Sequence, residues 1–146
     1  MARLVLQLIF LCTLSAYAQS YTSGSFHMSQ YRKWYFYNDQ SVSRSVADNF
    51  CKLNKGRLWE PESAYEVLEV KQKLPSSVSY VWLGLSTLFP ELWYASGRLY
   101  LYSNWASTRP TVGGAYMKLS DGKWHGTSAL DTNRALCEGR LWFHQN

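Results

Sequence analysis

The run VWLGL, residues 81–85, decides how the second half of this chain folds. It belongs to an apolar segment, Tyr80 to Leu85, that is too short for a typical helix and is typical of a strand. Beyond Pro75 the 3.6-residue periodicity of a helix does not return. Further short apolar runs, interrupted by Gly, Ser and Pro, cover 99–102, 115–119 and 135–137. The second half therefore predicts several short strands.

An amphipathic helix is predicted upstream of that run. Ser43 or Ser45 can cap its start, and Gly56 stands just past its end, where a left-handed residue is expected. Its apolar face consists of Val46, Ala47, Phe50 and Cys51. Cys51 is therefore expected to point into the core.

A second helix is predicted to start around Pro61-Glu62 and to stop at Pro75, with lysines in its last turn. Its inner stripe consists of Tyr65, Val67 and Leu68. Before the helices, Trp34 to Tyr37 predicts a short aromatic strand that ends at Asn38-Asp39. Two helices followed by several short strands indicate an α+β domain with an antiparallel sheet.

The amino terminus has the form of a secretory signal peptide. A basic start at Arg3, an apolar run from Leu4 to Leu14 and small residues at Ala16 and Ala18 predict a leader over residues 1–18, cleaved before Gln19. A buried first helix or an uncleaved anchor is the alternative. Residues 19–30, which include four Ser, one Tyr and one Gly, predict a loose tail before a single domain over residues 31–146. The mature protein is expected to be secreted and extracellular.

The charge composition limits the classes of binding partner that are expected. Without Arg3, 14 basic residues face 10 acidic ones, and the charges are scattered rather than clustered. A nucleic-acid partner is not expected for an exported protein, and no later stretch is apolar enough for a membrane span. Attraction to anionic glycans or matrix is compatible with the mild positive charge. The sequence does not specify an oligomeric state.

Five segments, in order, carry a resemblance to the C-type lectin-like domain family. They are ADNFCKLNKGRL (47–58), VWLGL (81–85), WYASGRLYLYSNW (93–105), DGKW (121–124) and ALCE (135–138). The VWLGL run resembles the WIGL signature of that family. Each motif is weak alone, but five in order with compatible spacing cover roughly residues 31–140.

The resemblance implies a C-type lectin-like α+β fold, with two helices packed on short antiparallel sheets and a long irregular loop region. It also implies a disulfide between Cys51 and Cys137, which joins the first helix to the last strand. Over 86 positions, such a bond would stabilise the fold by up to about 4–5 kcal/mol. It further implies that Trp82, Leu83, Leu85 and Trp105 are core residues. The additional amino-terminal cysteines of the family's long form are absent, so the chain resembles the short form.

The sequence departs from the calcium-dependent members of the family. Those members bind sugar through a Glu-Pro-Asn or Gln-Pro-Asp tripeptide and an Asn-Asp pair after a late Trp, because Ca²⁺ takes 6–8 oxygen ligands. Here the matching residues are Arg109-Pro110-Thr111, and His125-Gly126 after Trp124. A guanidinium beside the site would repel a cation. No calcium, other metal or cofactor is therefore expected, and the cis or trans state of Pro110 stays open.

The inner disulfide of the family is also missing. Ala115 or Tyr116 stands at its first position, and Ser128 or Ala129 at its second. Both partners are absent together, which leaves no odd thiol in an exported domain. The long loop between these positions is expected to be less restrained than in typical members.

Other chemistries find little support in the sequence. His27, His125 and His144 are far apart and lack zinc-ligand spacing. The sequence contains no nucleophile elbow, phosphate loop or HExxH motif. An enzyme is not expected.

We therefore expect a secreted, calcium-independent recognition protein that binds a glycan or protein ligand, with anionic groups suited to its basic side chains. For any single residue of that surface, the alternative is that it does not contact a ligand: a charged residue would then be solvent-exposed at the rim, and a tyrosine would be buried. The candidate ligand-binding residues on the long-loop face are Arg98, Arg109, Thr111, Trp124 and His125. A structural component of an extracellular or biomineral (shell-type) matrix is the alternative function.

Overall fold

The computed structural model describes residues 23–86, 93–99, 102–107, 114–126 and 131–140. The strands are β1 (Ser23–Met28), β2 (Lys33–Val42), β3 (Arg57–Leu58), β4 (Tyr80–Leu83), β5 (Leu85–Ser86), β6 (Trp93–Tyr94), β7 (Ala115–Lys118), β8 (Lys123–Gly126) and β9 (Asn133–Arg140), and the helices are α1 (Arg44–Leu53) and α2 (Ala64–Lys73). The predicted signal peptide and residues 19–22 lie outside the described residues. No helix in the described part of the chain is long and apolar enough to cross a bilayer.

The main sheet runs in the order β1-β2-β9-β4-β7-β8, and β3 also pairs with β9. β5 and β6 form a separate two-stranded sheet. The predicted α+β class is confirmed, with the difference that β4 pairs with β9 in parallel rather than antiparallel. Because β9 touches β2, β3 and β4, it joins the amino-terminal half of the domain to the β4-β7-β8 half.

The second strand is longer than predicted. It continues past Asn38-Asp39 to Val42, and its register with β9 shifts between Tyr37 and Ser41. The Asn38 side-chain oxygen accepts a hydrogen bond from the Ala135 backbone N–H at 3.2 Å. The prediction that the strand ends at Asn38-Asp39 was therefore wrong, because the bulge accommodates these turn-favouring residues within the strand.

The loose tail predicted for residues 19–30 was wrong over its described part. Residues 23–28 form β1, which pairs antiparallel with β2. Phe26 stacks on Tyr35 with ring centroids 4.9 Å apart, and Met28 is buried. Its serines and Gly24 favour a loop locally, but pairing with an aromatic strand overrides that preference.

The first helix begins as predicted at a serine cap, because the Ser43 hydroxyl accepts from the Val46 N–H at 3.4 Å. Its end differs from the prediction. Lys55, not Gly56, has the left-handed conformation, with φ +60°. Gly56 instead allows a close approach, since a Cβ there would lie 2.8 Å from the Glu138 carbonyl oxygen.

The second helix begins at Ala64, three residues later than Pro61, because the Ser63 hydroxyl caps it by accepting from the Glu66 N–H at 3.1 Å. The predicted inner stripe was wrong at Tyr65 and Leu68, which are 78% and 53% exposed. The buried positions of the helix are Glu66, Val67 and Val70. Because Glu66 is buried, the inward face of the helix is shifted by about one residue from the predicted face.

Two apolar clusters lie on either side of the sheet. The smaller one, beneath α1, contains the disulfide between Cys51 and Cys137, which is confirmed with a Cα–Cα distance of 5.4 Å. The residues Trp82, Leu83 and Leu85 are buried as predicted, and Trp105 is partly buried against the larger cluster.

Candidate recognition surface

The β7-β8 hairpin connects the core to the predicted ligand-binding end of the domain. Its register pairs Ala115 with Gly126 at one end and Lys118 with Lys123 at the other. We call these the loop end and the tip. Side chains alternate across the hairpin: Ala115, Met117 and Trp124 are buried, whereas the intervening residues are partly or fully exposed.

Trp124 lies in the core. Its side chain is 0% exposed, and its ring meets the rings of Tyr102 and Trp105 edge-on at 5.7 and 5.5 Å. The Trp124 backbone N–H donates to the Asn104 carbonyl at 2.8 Å, and its own carbonyl accepts from the Ala106 N–H at 2.9 Å. Trp124 therefore holds residues 102–106 against β8, and its buried ring does not face a ligand on the surface.

His125 lies on the opposite face of the hairpin from Trp124. Its ring stacks on Tyr116 at a centroid distance of 5.2 Å and an interplanar angle of 16°. Tyr80, 41% exposed, meets Tyr116 edge-on at 5.6 Å. We call Tyr116 and His125 the aromatic patch. The sequence singled out His125 but not Tyr116, because a cross-strand partner is visible only once the register is known.

Nε2 of His125 and Nε1 of Trp105, both near the loop end, are among the buried polar atoms that have no hydrogen-bond partner within the described residues. Buried polar atoms are paired with protein groups or ordered water in the great majority of cases.

Arg98 is used inside the domain. Its guanidinium lies 2.9 Å from a Glu60 carboxylate oxygen and 3.5 Å from one of Glu138, and it also pairs with Glu62. Burial disfavours its charge, but the hydrogen bonds to Glu62 and Glu60 outweigh that effect and raise the pKa of Arg98. Arg98 therefore neutralises buried acids, and its guanidinium is not available for a ligand in this arrangement.

Arg98 belongs to a buried ion cluster that the sequence-based predictions missed. Four positive and four negative side chains cancel one another's charge. The members are Lys33, Arg57, Arg98, Arg140, Glu60, Glu62, Glu66 and Glu138. The sequence did contain a signal, because Glu66 lies four residues before the apolar Val70 and therefore on the same face of the helix. A single acid on such a face is usually predicted to be solvent-exposed.

Lys33 stands at the centre of this cluster. Its ammonium lies 2.9 Å from Glu66 and 2.8 Å from Glu138, and all three side chains are fully buried. Burial opposes the charged ammonium, but the carboxylates of Glu138 and Glu66 outweigh it and raise the pKa of Lys33. A buried charge is tolerated only with such compensation.

Glu66 is saturated with donors. Besides Lys33, its oxygens accept from the Tyr35 hydroxyl at 2.7 Å, the Trp59 Nε1–H at 2.9 Å and the Glu62 backbone N–H at 2.7 Å. Burial, followed by the negative charge of Glu66, raises the pKa of Tyr35. The cluster is thus a closed hydrogen-bonded network suited to structure rather than to binding.

Some of the residues that the sequence singled out lie outside the described residues. They are Arg109, Pro110, Thr111, Ser128, Ala129 and His144. Within the described ranges, no group of three or more His, Cys, Asp or Glu side chains could hold a metal ion.

Comparisons with known proteins address the family first. The family model of the lectin C-type domain matches residues 40–139. A comparison with curated protein sequences finds no match.

Solved structures of similar fold share little sequence with this chain. The human scavenger receptor C-type lectin carbohydrate-recognition domain has a TM-score of 0.68 and 20% identity, over 80% of this chain and 96% of that one. A calcium-independent type II antifreeze protein has a TM-score of 0.66 and 18% identity, over 83% and 92%. Human lithostathine has a TM-score of 0.63 and 21% identity, over 82% and 88%. At these identities, the neighbours confirm the predicted fold.

Proposed function

The chain belongs to the C-type lectin domain family, and we propose that it is a secreted recognition protein that binds a glycan without calcium. The binding surface in this proposal is the loop end of the β7-β8 hairpin, with the aromatic patch beside it. No catalytic step is part of the proposed activity.

The observation that carries the proposal is the placement of His125. In calcium-dependent members of the family, the position after the late tryptophan carries an Asn-Asp pair that supplies oxygen ligands. Here an imidazole stacks on Tyr116 and glycine follows it. Neither residue offers a side-chain oxygen, and Ca²⁺ is bound almost entirely by oxygen. The sequence at Arg109-Pro110-Thr111 supports the same conclusion, since it places a cation where a carboxylate is needed.

A structural neighbour supports the same interpretation. The antifreeze protein of similar fold is described as calcium-independent. A domain of this fold therefore does not need the ion in every member, and the Cys51–Cys137 disulfide and the buried ion cluster fasten the present one.

The loop end offers chemistry suited to a sugar. Aromatic rings present large apolar faces with polar edges, which match the amphipathic faces of a pyranose. The partly exposed imidazole of His125 adds a polar group beside the Tyr116 ring. A few polar groups beside apolar rings are typical of small-molecule sites.

A glycan array, screened with and without a chelator, tests the proposed function. We expect at least one glycan to bind equally well in both conditions. His125→Ala should weaken that binding by about tenfold or more, equivalent to about 1.4 kcal/mol. His27→Ala is the matched control, because His27 is exposed on β1, at the opposite edge of the sheet. Loss of binding in the chelator would contradict calcium independence.

Secretion has its own test. Expression of the full chain in secretory cells should release a product whose first residue is Gln19. A protein retained in the cell with Met1 intact would contradict the assignment. Recovery of the native protein only from an insoluble matrix, with no glycan bound on the array, would favour the structural role instead.

A further inference from the structure

A groove of about 460 Å³ lies at the tip of the β7-β8 hairpin. It runs between the carboxyl end of α2, the start of β4 and the end of β7. The tip and the loop end are separated by three residues of strand, or about 10 Å. The groove does not contain Tyr116 or His125, although Tyr80 lines the groove and also contacts Tyr116.

Two lysines, Lys71 and Lys118, line this groove, and Lys123 lies beside it on the neighbouring strand. Lys118 and Lys123 are directly opposite one another on neighbouring strands, an arrangement that repulsion disfavours. The ammonium of Lys71 is held against the groove by the Ser120 carbonyl oxygen at 2.9 Å. Among the described residues, none of these three lysines forms an ion pair within 4 Å.

The acid in the hairpin turn offsets only part of this charge, since the backbone N–H of Lys123 and the nearby charges of Lys118 and Lys123 together lower the pKa of Asp121. A carboxylate oxygen of Asp121 accepts from the Lys123 backbone N–H at 2.9 Å, so this acid stabilises the turn. The helix dipole favours Lys71, which lies in the last turn of α2. It does not account for Lys118 and Lys123, which lie on other elements.

The rest of the groove suits one or two sugar units. Leu74 and Val78 form an apolar floor, Tyr80 offers an exposed ring, and Ser76 and Ser79 are exposed hydroxyls. The volume falls within the range of small-molecule sites. The ammonium groups, as compact point charges, suit sulfate or carboxylate groups on such a ring.

We propose that this groove binds an acidic saccharide, with the Lys71 and Lys118 ammonium groups on its sulfate or carboxylate substituents, the charge of Lys123 adding to theirs from the neighbouring strand, and the sugar ring against Tyr80. The site shares neither Tyr116 nor His125 with the proposed calcium-independent glycan site, so it does not depend on that proposal. It needs no metal ion, because the cations that it offers are side chains.

Sucrose octasulfate is the probe, with unmodified sucrose as its neutral counterpart. In titration calorimetry at physiological salt, the disulfide-intact secreted protein should bind one sucrose octasulfate and no sucrose. Lys118→Gln/Lys123→Gln should weaken this binding by about tenfold or more. Lys52→Gln/Lys55→Gln, which removes the same charge from the exposed end of α1, should weaken it by less than about threefold.

Three results would overturn the proposal. They are no binding of the sulfated probe, equal losses in the two double variants, and loss with His125→Ala while Lys118→Gln/Lys123→Gln still binds. The last result would assign the anion to the loop end. A glycan array without any bound glycan would not change the result expected from this titration, so the two proposals can be contradicted independently.

Discussion

The buried ion cluster and the groove at the hairpin tip use charge in opposite ways. In the cluster, four cations meet four anions, and its central side chains are fully buried. At the tip, three lysines face one another or the solvent without an ion pair in the described part of the chain. Because the cluster is neutral, the net charge of +5 on the whole chain comes from elsewhere, including the tip.

This difference separates charges that build the fold from charges that are available to a partner. A buried ion must be compensated by the protein itself, whereas an exposed one keeps its water and can exchange it for a ligand. Arg98 shows the consequence: it has the chemistry of an anion-binding residue but is already used by Glu60 and Glu62.

The largest expected effect comes from removing the central cation. Lys33→Met should lower the free energy of unfolding by about 3–5 kcal/mol, because Glu66 and Glu138 would be left buried without it. Lys118→Met should change it by about 0.5 kcal/mol or less. Urea denaturation measures both. Equal effects would remove the distinction between the two regions.

The disulfide should have the next largest effect. Reduction of the bond between Cys51 and Cys137 should lower the free energy of unfolding by about 2–5 kcal/mol, because 86 positions are released. Since Glu138 follows Cys137 on β9, the cluster should loosen while the tip changes less. Hydrogen exchange of β9 against β8 checks this, and an unchanged melting temperature would argue against a bridge in solution.

A smaller effect should depend on pH through Glu62. Burial opposes its charge, but the hydrogen bond from Arg98 and the charge of Lys33 outweigh it and lower the pKa of Glu62. A lowered folded-state pKa stabilises the fold above the ordinary value of 4.5, and this contribution disappears as the pH falls through the folded value.

The variant Glu62→Gln isolates this contribution. At pH 7 it should be less stable than the parent by about 1 kcal/mol or less, since the side chain is partly exposed. The difference should shrink below pH 4.5. Denaturation midpoints at several pH values measure it, and a difference that grows on acidification would contradict the assigned sign.

The smallest effect should have the opposite sign. Lys118→Gln/Lys123→Gln should raise the free energy of unfolding by about 0.2–0.5 kcal/mol, because it removes repulsion across the hairpin. Thermal denaturation at low salt detects the gain, which should fade as salt is added. A loss of stability would mean that these lysines stabilise the fold, as the charges of the buried ion cluster do.

Local patterns predicted much of the fold and little of the site. The serine cap at Ser43 and the burial of Trp82 follow from short stretches and are confirmed. The errors arose where distant contacts act: β2 extends across Asn38 because that side chain bonds to β9, and α2 turns inward at Glu66 because Lys33 binds it there. Propensity and periodicity do not register partners that lie far along the chain.

The amino-acid sequence alone determined the family, the α+β class and the pairing of Cys51 with Cys137, because these depend on motifs whose order survives without coordinates. Only the tertiary structure decided which charges are neutralised inside. Lys33 and Glu138 lie far apart in the chain and become neighbours through the pairing of β2 with β9. Sheet register, a long-range property, thus determines which cations are compensated within the protein and which remain open to a ligand.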